Sequence, residues 1–152
     1  MVNLDDLMLE LSGKRPVFHN ERDFQLELGM LLNRYYPGLV RMEYCYPDID
    51  NQYCDIMILD HNRCPFFAIE LKYLSKKGVV IDVNIKEKFN FKRCCKEKRL
   101  RNIESDRSRI NCLNEQGIDG AVIVLSNDKR FIGDNWKQYS MVGNEVFKYI
   151  IY

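Results

Sequence analysis

Hydrophobic positions recur at helical spacing in three parts of the chain. Leu4, Leu7 and Leu11 share one face of a segment starting at Asn3, which predicts a short helix ended by Gly13, Lys14, Arg15 and Pro16. Phe24, Leu28, Leu31 and Leu32 mark a second helix that runs to about Tyr36. Asn20 suits its N-cap, and Glu21 and Asp23 fall in the first turn, where the helix dipole favours negative charge. Pro37-Gly38 stops it. Leu100, Ile103, Ile110 and Leu113 predict a third helix over Glu97–Gln116, with Gly117 at its C-terminal end.

Between the second and third helices the apolar period shortens to two. Strands are predicted at Leu39–Tyr46, at Gln52–Leu59 (containing YCDIMIL) and at Pro65–Tyr73 (PFFAIELKY). The connectors PDIDN and DHNR are short and rich in turn residues, so these strands should form an antiparallel meander. Val79–Phe91 alternates in part, through Ile81, Val83, Ile85, Phe89 and Phe91, and reads as an extra hairpin. Ala121–Leu125 reads as a buried strand, and the long helix before it would let it lie parallel to an earlier strand. The tail is expected to hold a short helix near Trp136 and a final strand near Glu145–Ile151. The sum is a single domain over residues 1–152, of α/β class with a mixed α+β sheet flanked by helices.

Composition agrees with a globular chain: apolar residues are 46% and charged residues 30% of 152. No apolar run approaches the roughly 20 residues a membrane helix needs. The start, MVNLDDLMLELSG, is acidic and amphipathic, unlike a signal peptide, so a cytoplasmic location and no membrane partner are expected. Cys45, Cys54, Cys64, Cys94, Cys95 and Cys112 contain no C-x-x-C pair and no His cluster, which argues against zinc. Charge changes the picture more. Residues 1–71 hold 6 Lys/Arg against 12 Asp/Glu, while residues 72–109 hold 13 against 5. An acidic stretch followed by a basic band fits either a solvated loop and helix or a phosphate-binding surface beside a metal cluster.

The candidate chemistry lies in the strands. Glu70 and Lys72 are two residues apart in AIELKY and so point the same way. An E-x-K triplet alone is weak, since a chain of this length carries one by chance about half the time. Here, however, it ends an apolar strand, and the strand before it embeds Asp55 among apolar neighbours. Two carboxylates on adjacent buried strands repel unless a proton or cation lies between them. A hard divalent ion with oxygen ligands, Mg²⁺ or Mn²⁺, is the economical cation, and a nearby Lys can orient water and stabilise charge on a phosphate. The bland alternative is a structural ion-pair cluster at a sheet end.

Asp55…Glu70-x-Lys72, on two neighbouring strands after a helix, resembles the PD-(D/E)XK nuclease superfamily, also called restriction-endonuclease-like. NERDFQLELGMLL, YCDIMILD, AIELKY and SDRSRINCL…GAVIVLSND resemble small bacterial and phage members of it. Cys54 stands where many members carry a Pro. The resemblance implies an αβββαβ core from about Asn20 to Leu125. It implies a Mg²⁺- or Mn²⁺-dependent nuclease, an endonuclease more than an exonuclease, acting on DNA more than RNA. It gives Asp55 and Glu70 as metal ligands with the Leu71 carbonyl, and Lys72 as the group that positions or activates water. Glu21, with Gln25 one turn on, would complete the shell through water, although Glu21 also suits a simple first-turn carboxylate. Glu43 could face the site from the first strand or stand exposed or paired, and Glu27 reads as solvated. Many members act as dimers, because cutting both strands needs two sites.

Lys86, Lys88, Lys92, Arg93 and Lys96, with Lys98, Arg99 and Arg101 and with Phe89 and Phe91 interleaved, could track a nucleic-acid backbone. Asp106 falls on the apolar stripe between Ile103 and Ile110 and is expected to form a buried ion pair with Arg109. His19 reads as a surface side chain. The rival class is a binding or accessory protein on the same fold that lacks turnover.

Overall fold

Asn3 opens the first helix by accepting a hydrogen bond from the Asp5 N–H at 2.8 Å, which satisfies a donor the helix cannot. A computed structural model describes residues 3–46, 52–92 and 95–152. Helix α1 (Leu4–Lys14) buries Leu7, Met8 and Leu11. It runs one turn past the expected end: Gly13 stays helical, and the Arg15 N–H closes the helix on the Leu11 carbonyl before Pro16. Helix α2 (Glu21–Tyr35) starts at Asn20 as expected, with the Asn20 side chain accepting from the Asp23 N–H at 3.0 Å. It buries Phe24, Leu28, Leu31 and Leu32, and also Gln25.

Strands β1 (Val40–Cys45), β2 (Tyr53–Leu59) and β3 (Pro65–Leu74) form the expected antiparallel meander. The PDIDN connector, residues 47–51, lies outside the described residues. The DHNR connector closes as an Asx turn, with Asp60 Oδ1 accepting from the Asn62 and Cys64 N–H groups at 2.8 Å. Strands β4 (Gly78–Asp82) and β5 (Glu87–Phe91) pair as a separate hairpin. Helix α3 (Lys96–Glu115) then crosses to β6 (Asp119–Ser126), which pairs parallel with β3 from Phe67↔Asp119 to Leu74↔Ser126. Gly117 takes φ +81 just past α3, a left-handed conformation that costs glycine little.

The final strand forms at Glu145–Ile151 as expected, but the segment before it differs. No helix forms near Trp136; Gly133, Asp134 and Asn135 lie in irregular turns. Instead β7 (Lys137–Val142) precedes β8 (Glu145–Ile151), and the two are joined through Gly143 at φ +59. Gly at the first position of a two-residue reversal suits a tight hairpin, and that turn pairs β7 with β8.

The main sheet has six strands in the order β1-β2-β3-β6-β8-β7. Its two faces carry separate cores. Leu7, Phe24, Leu28, Ile58, Ile69, Leu71 and Phe147 pack together on the face covered by α1 and α2. Ile103, Ile110 and Leu113 of α3 pack on the other face against Met57, Ala68, Val122 and Val124. The architecture is therefore mixed α+β, with β3 buried at its centre between an antiparallel and a parallel neighbour. Among the described residues no helix is long and apolar enough to cross a membrane.

Candidate functional site

The β2–β3 ladder ends at Ile56↔Ile69. Beyond it, carboxylates take the backbone donors of β3. Asp55 Oδ2 accepts from the Leu71 N–H at 2.7 Å, and Glu21 Oε2 accepts from the Tyr73 N–H at 2.9 Å. The splay of the two strands thus draws one acid from β2 and one from the start of α2 to the same edge of β3. Each has a structural task, satisfying a buried donor, and each keeps a second oxygen for other partners.

Glu70 and Lys72 lie on the alternate positions of β3 and turn toward α3. Both are buried, at 2% and 8% exposure. Glu70 Oε1 accepts from the Tyr46 hydroxyl, and from Nε and Nη2 of Arg109, each at 3.4 Å. Arg109 also pairs with Asp106, one turn earlier on α3, and donates to Ser105 Oγ at 3.0 Å. Asp106 reaches across to Lys72, with Nζ to Oδ2 at 2.8 Å. Lys72 further donates to the Leu71 carbonyl at 2.7 Å and stands 3.8 Å from Glu21 Oε1. The site is thus a closed network between β3, α2 and α3.

Burial pushes the Glu70 carboxyl up to about 8; the Tyr46 hydroxyl opposes that shift, and the charges of Asp55 and Asp106 add to it. Asp55 is also raised, first by burial, with the Leu71 N–H and Lys72 opposing and Glu43 adding. The Asp55 and Glu70 carboxyls act on each other as neighbours. Glu21 is raised by burial against the pull of Lys72. For Lys72, burial favours the neutral amine, but Glu21, Asp106 and Asp55 together outweigh it and hold an ammonium. The Cys54 thiol is pushed up to about 12 by burial and stays protonated, donating to the Ile56 carbonyl at 2.8 Å.

Four carboxyls, Glu21, Asp55, Glu70 and Asp106, therefore surround two cations, Lys72 and Arg109. Fully ionised, that group carries two negative charges in excess, a deficit that a divalent ion would balance. The donors are all oxygens, which suits Mg²⁺ or Mn²⁺. Among the described residues no three His, Cys, Asp or Glu side chains gather as a metal shell, so two carboxylates and a backbone carbonyl are the donors available. The Leu71 carbonyl lies at the site, where Lys72 covers it.

Gln25 lies at the edge of this group. Its Nε2 donates to the Asp55 carbonyl at 2.7 Å and to Glu43 Oε1 at 3.0 Å. Glu43 adopts φ +49 inside β1, a conformation uncommon for a side chain other than Gly, Asn or Asp. Glu27 is held in an ion pair, 3.8 Å from Arg15, rather than being freely solvated. His19 is exposed as expected, with its ring 4.4 Å from that of Phe89.

The basic band is split. Lys86, Lys88 and Lys92 are exposed on and beside the β4–β5 hairpin, and Lys96 opens α3. Arg93 lies outside the described residues. Phe89 and Phe91 are not available for stacking with bases: they are 0% and 6% exposed and pack in the α1/α2-side core beside Tyr73 and Phe147. Alternation along β5 puts both rings on one face of the hairpin, and that face packs on the core. Arg99 of α3 is near enough to Glu21 for its charge to act on it.

Sequence reasoning anticipated the Asp106–Arg109 pair but not that Asp106 also holds Lys72, or that Arg109 and Tyr46 both reach Glu70. An acid on the apolar stripe of α3 was the available signal; Tyr46, at the end of a strand, gave none. No family model matches this chain, and no curated protein or solved structure matches it either.

Proposed function

We propose that this protein is a metal-dependent nuclease hydrolysing phosphodiester bonds, with DNA as the favoured substrate. The observation that carries the reading is the meeting of Asp55, Glu70 and Lys72 where β2 leaves β3. The order α2-β1-β2-β3-α3-β6, with β6 parallel to β3, supports the resemblance to the PD-(D/E)XK superfamily and its αβββαβ core.

Asp55, Glu70 and the Leu71 carbonyl would hold the Mg²⁺ or Mn²⁺ ion. Such an ion, when bound, makes water more acidic and offsets charge on the phosphoryl group. Lys72 acts as a fixed positive donor rather than a base, because its acid neighbours keep it protonated. Its ammonium orients water and stabilises charge on a non-bridging phosphate oxygen. Glu21 and Asp106 hold that ammonium in place. Gln25 fixes the backbone of Asp55. Lys86, Lys88, Lys92 and Lys96 supply positive charge for the strand outside the site.

Supercoiled plasmid incubated with Mg²⁺ or Mn²⁺ should be nicked. Asp55→Ala, Glu70→Ala and Lys72→Ala should each slow nicking by about a hundredfold or more. Equal rates for wild type and variants would remove the enzymatic claim. A second reading rests on the closure of the network: Lys72 covers the Leu71 carbonyl and Arg109 leans on Glu70. It describes a nucleic-acid-binding or accessory protein without turnover, and tight DNA binding with no product in any divalent ion would favour it.

A further inference from the structure

Arg109 meets Asp106, Ser105, Glu70 and the Tyr46 ring unequally. Its pairing with Asp106 is close, and Ser105 Oγ holds Nη1 at 3.0 Å. Its contacts with Glu70 are 3.4 Å, longer than the 2.7–2.9 Å typical of a strong charge-assisted bond. The Arg109 side chain is 25% exposed and that of Glu70 is 3% exposed, so the guanidinium is the partner that reaches solvent. It is anchored on α3 and rests loosely on the acid. We propose that Arg109 is the resident counter-cation of Glu70 in the metal-free protein, and that a divalent ion held by Asp55 and Glu70 displaces it onto a phosphate of bound nucleic acid.

The physical reason is that one buried carboxylate does not stabilise a guanidinium and a divalent ion on the same side; their mutual repulsion in a weakly screening site drives one outward. Asp106 and Ser105 keep the displaced group at the entrance. Its planar fork matches two phosphate oxygens, which a lysine ammonium does not. Metal and nucleic acid would then favour each other's binding through Arg109, and linkage requires that coupling to be reciprocal. This inference rests on the metal-dependent reading of the site.

The test uses the full chain, with Mn²⁺ binding followed by calorimetry for wild type, R109Q and R109K. Removing the competing cation should tighten Mn²⁺ binding by about tenfold in R109Q. R109K, whose ammonium cannot span Asp106 and Glu70 together, should fall between, and it decides the question alone if R109Q does not fold. A duplex DNA oligonucleotide, with Ca²⁺ as the divalent ion, supplies the second measurement. Wild-type affinity for it should rise more on adding Ca²⁺ than that of R109Q. Unchanged or weaker Mn²⁺ binding in the variants overturns the counter-cation role and leaves the nuclease reading standing. Equal Ca²⁺ dependence of DNA affinity overturns the transfer to phosphate. If neither wild type nor the variants bind Mn²⁺, the metal-dependent reading fails and this inference with it.

Discussion

Burial and the charges of Asp55 and Asp106 raise the Glu70 carboxyl against the pull of Tyr46 and Arg109. Folded protein therefore ionises Glu70 less readily than the unfolded chain does, so the stability tied to this group falls as pH rises. Metal-free Glu70→Gln should show a shallower decline than wild type between about pH 5 and about pH 8.5, read from urea midpoints. An identical decline in both proteins would mean that another group carries it. That Asp55 and Glu70 are candidates was legible from the sequence, because an apolar strand with a single embedded charge is locally unusual. Their mutual influence was not, since it depends on where β2 parts from β3.

At the scale of elements, the cap of α2 decides where Glu21 lies. Asn20→Ala removes the acceptor for the Asp23 N–H and should cost about 1 kcal/mol, read from the shift in urea midpoint at constant slope. The first turn carries Glu21 to the Tyr73 N–H, so fraying there loosens the edge of the site as well. The β4–β5 hairpin depends on Phe89, which is fully buried against its surroundings. Phe89→Ala should cost about 3–5 kcal/mol by chemical denaturation. A change under 1 kcal/mol would mean that the ring does not anchor the hairpin. Alternation in Val79–Phe91 announced the hairpin but not which set of residues turns inward. Val79, Ile81 and Val83 are more than half exposed, whereas Val80, Phe89 and Phe91 are buried. Both sets are apolar, so only the neighbour they meet could separate them.

For the whole molecule, the tail closes the structure over its start. β8 covers the edge of β6, and Val122 and Tyr152 exchange two backbone hydrogen bonds at 3.0 Å. Tyr149 and Lys137 both bond Asp5 of α1, and the Tyr139 hydroxyl donates to the Arg15 carbonyl at 2.7 Å. Phe147 is fully buried in the core beneath α1 and α2. A chain ending at residue 136 should therefore lose cooperative thermal unfolding and associate through the bared edge of β6, visible as early elution in gel filtration. A monomeric shortened chain with a sharp transition would contradict that account.

Local periodicity by itself placed the three helices and the strands of the meander and hairpin, because side-chain spacing depends only on the nearby backbone; short connectors pointed to the meander, and the long α3 left a parallel return open without fixing it. It also singled out Asp55, Glu70 and Lys72. It found the final strand at Glu145–Ile151 but put a short helix near Trp136 and missed β7, which the Gly-Asn reversal pairs with β8. Tertiary structure alone decided which groups complete the site. Tyr46 reaches Glu70 across 24 residues of chain, and Arg109 across 39. Those meetings depend on where α3 crosses the sheet and where β2 parts from β3, and distance along the chain carries no record of either.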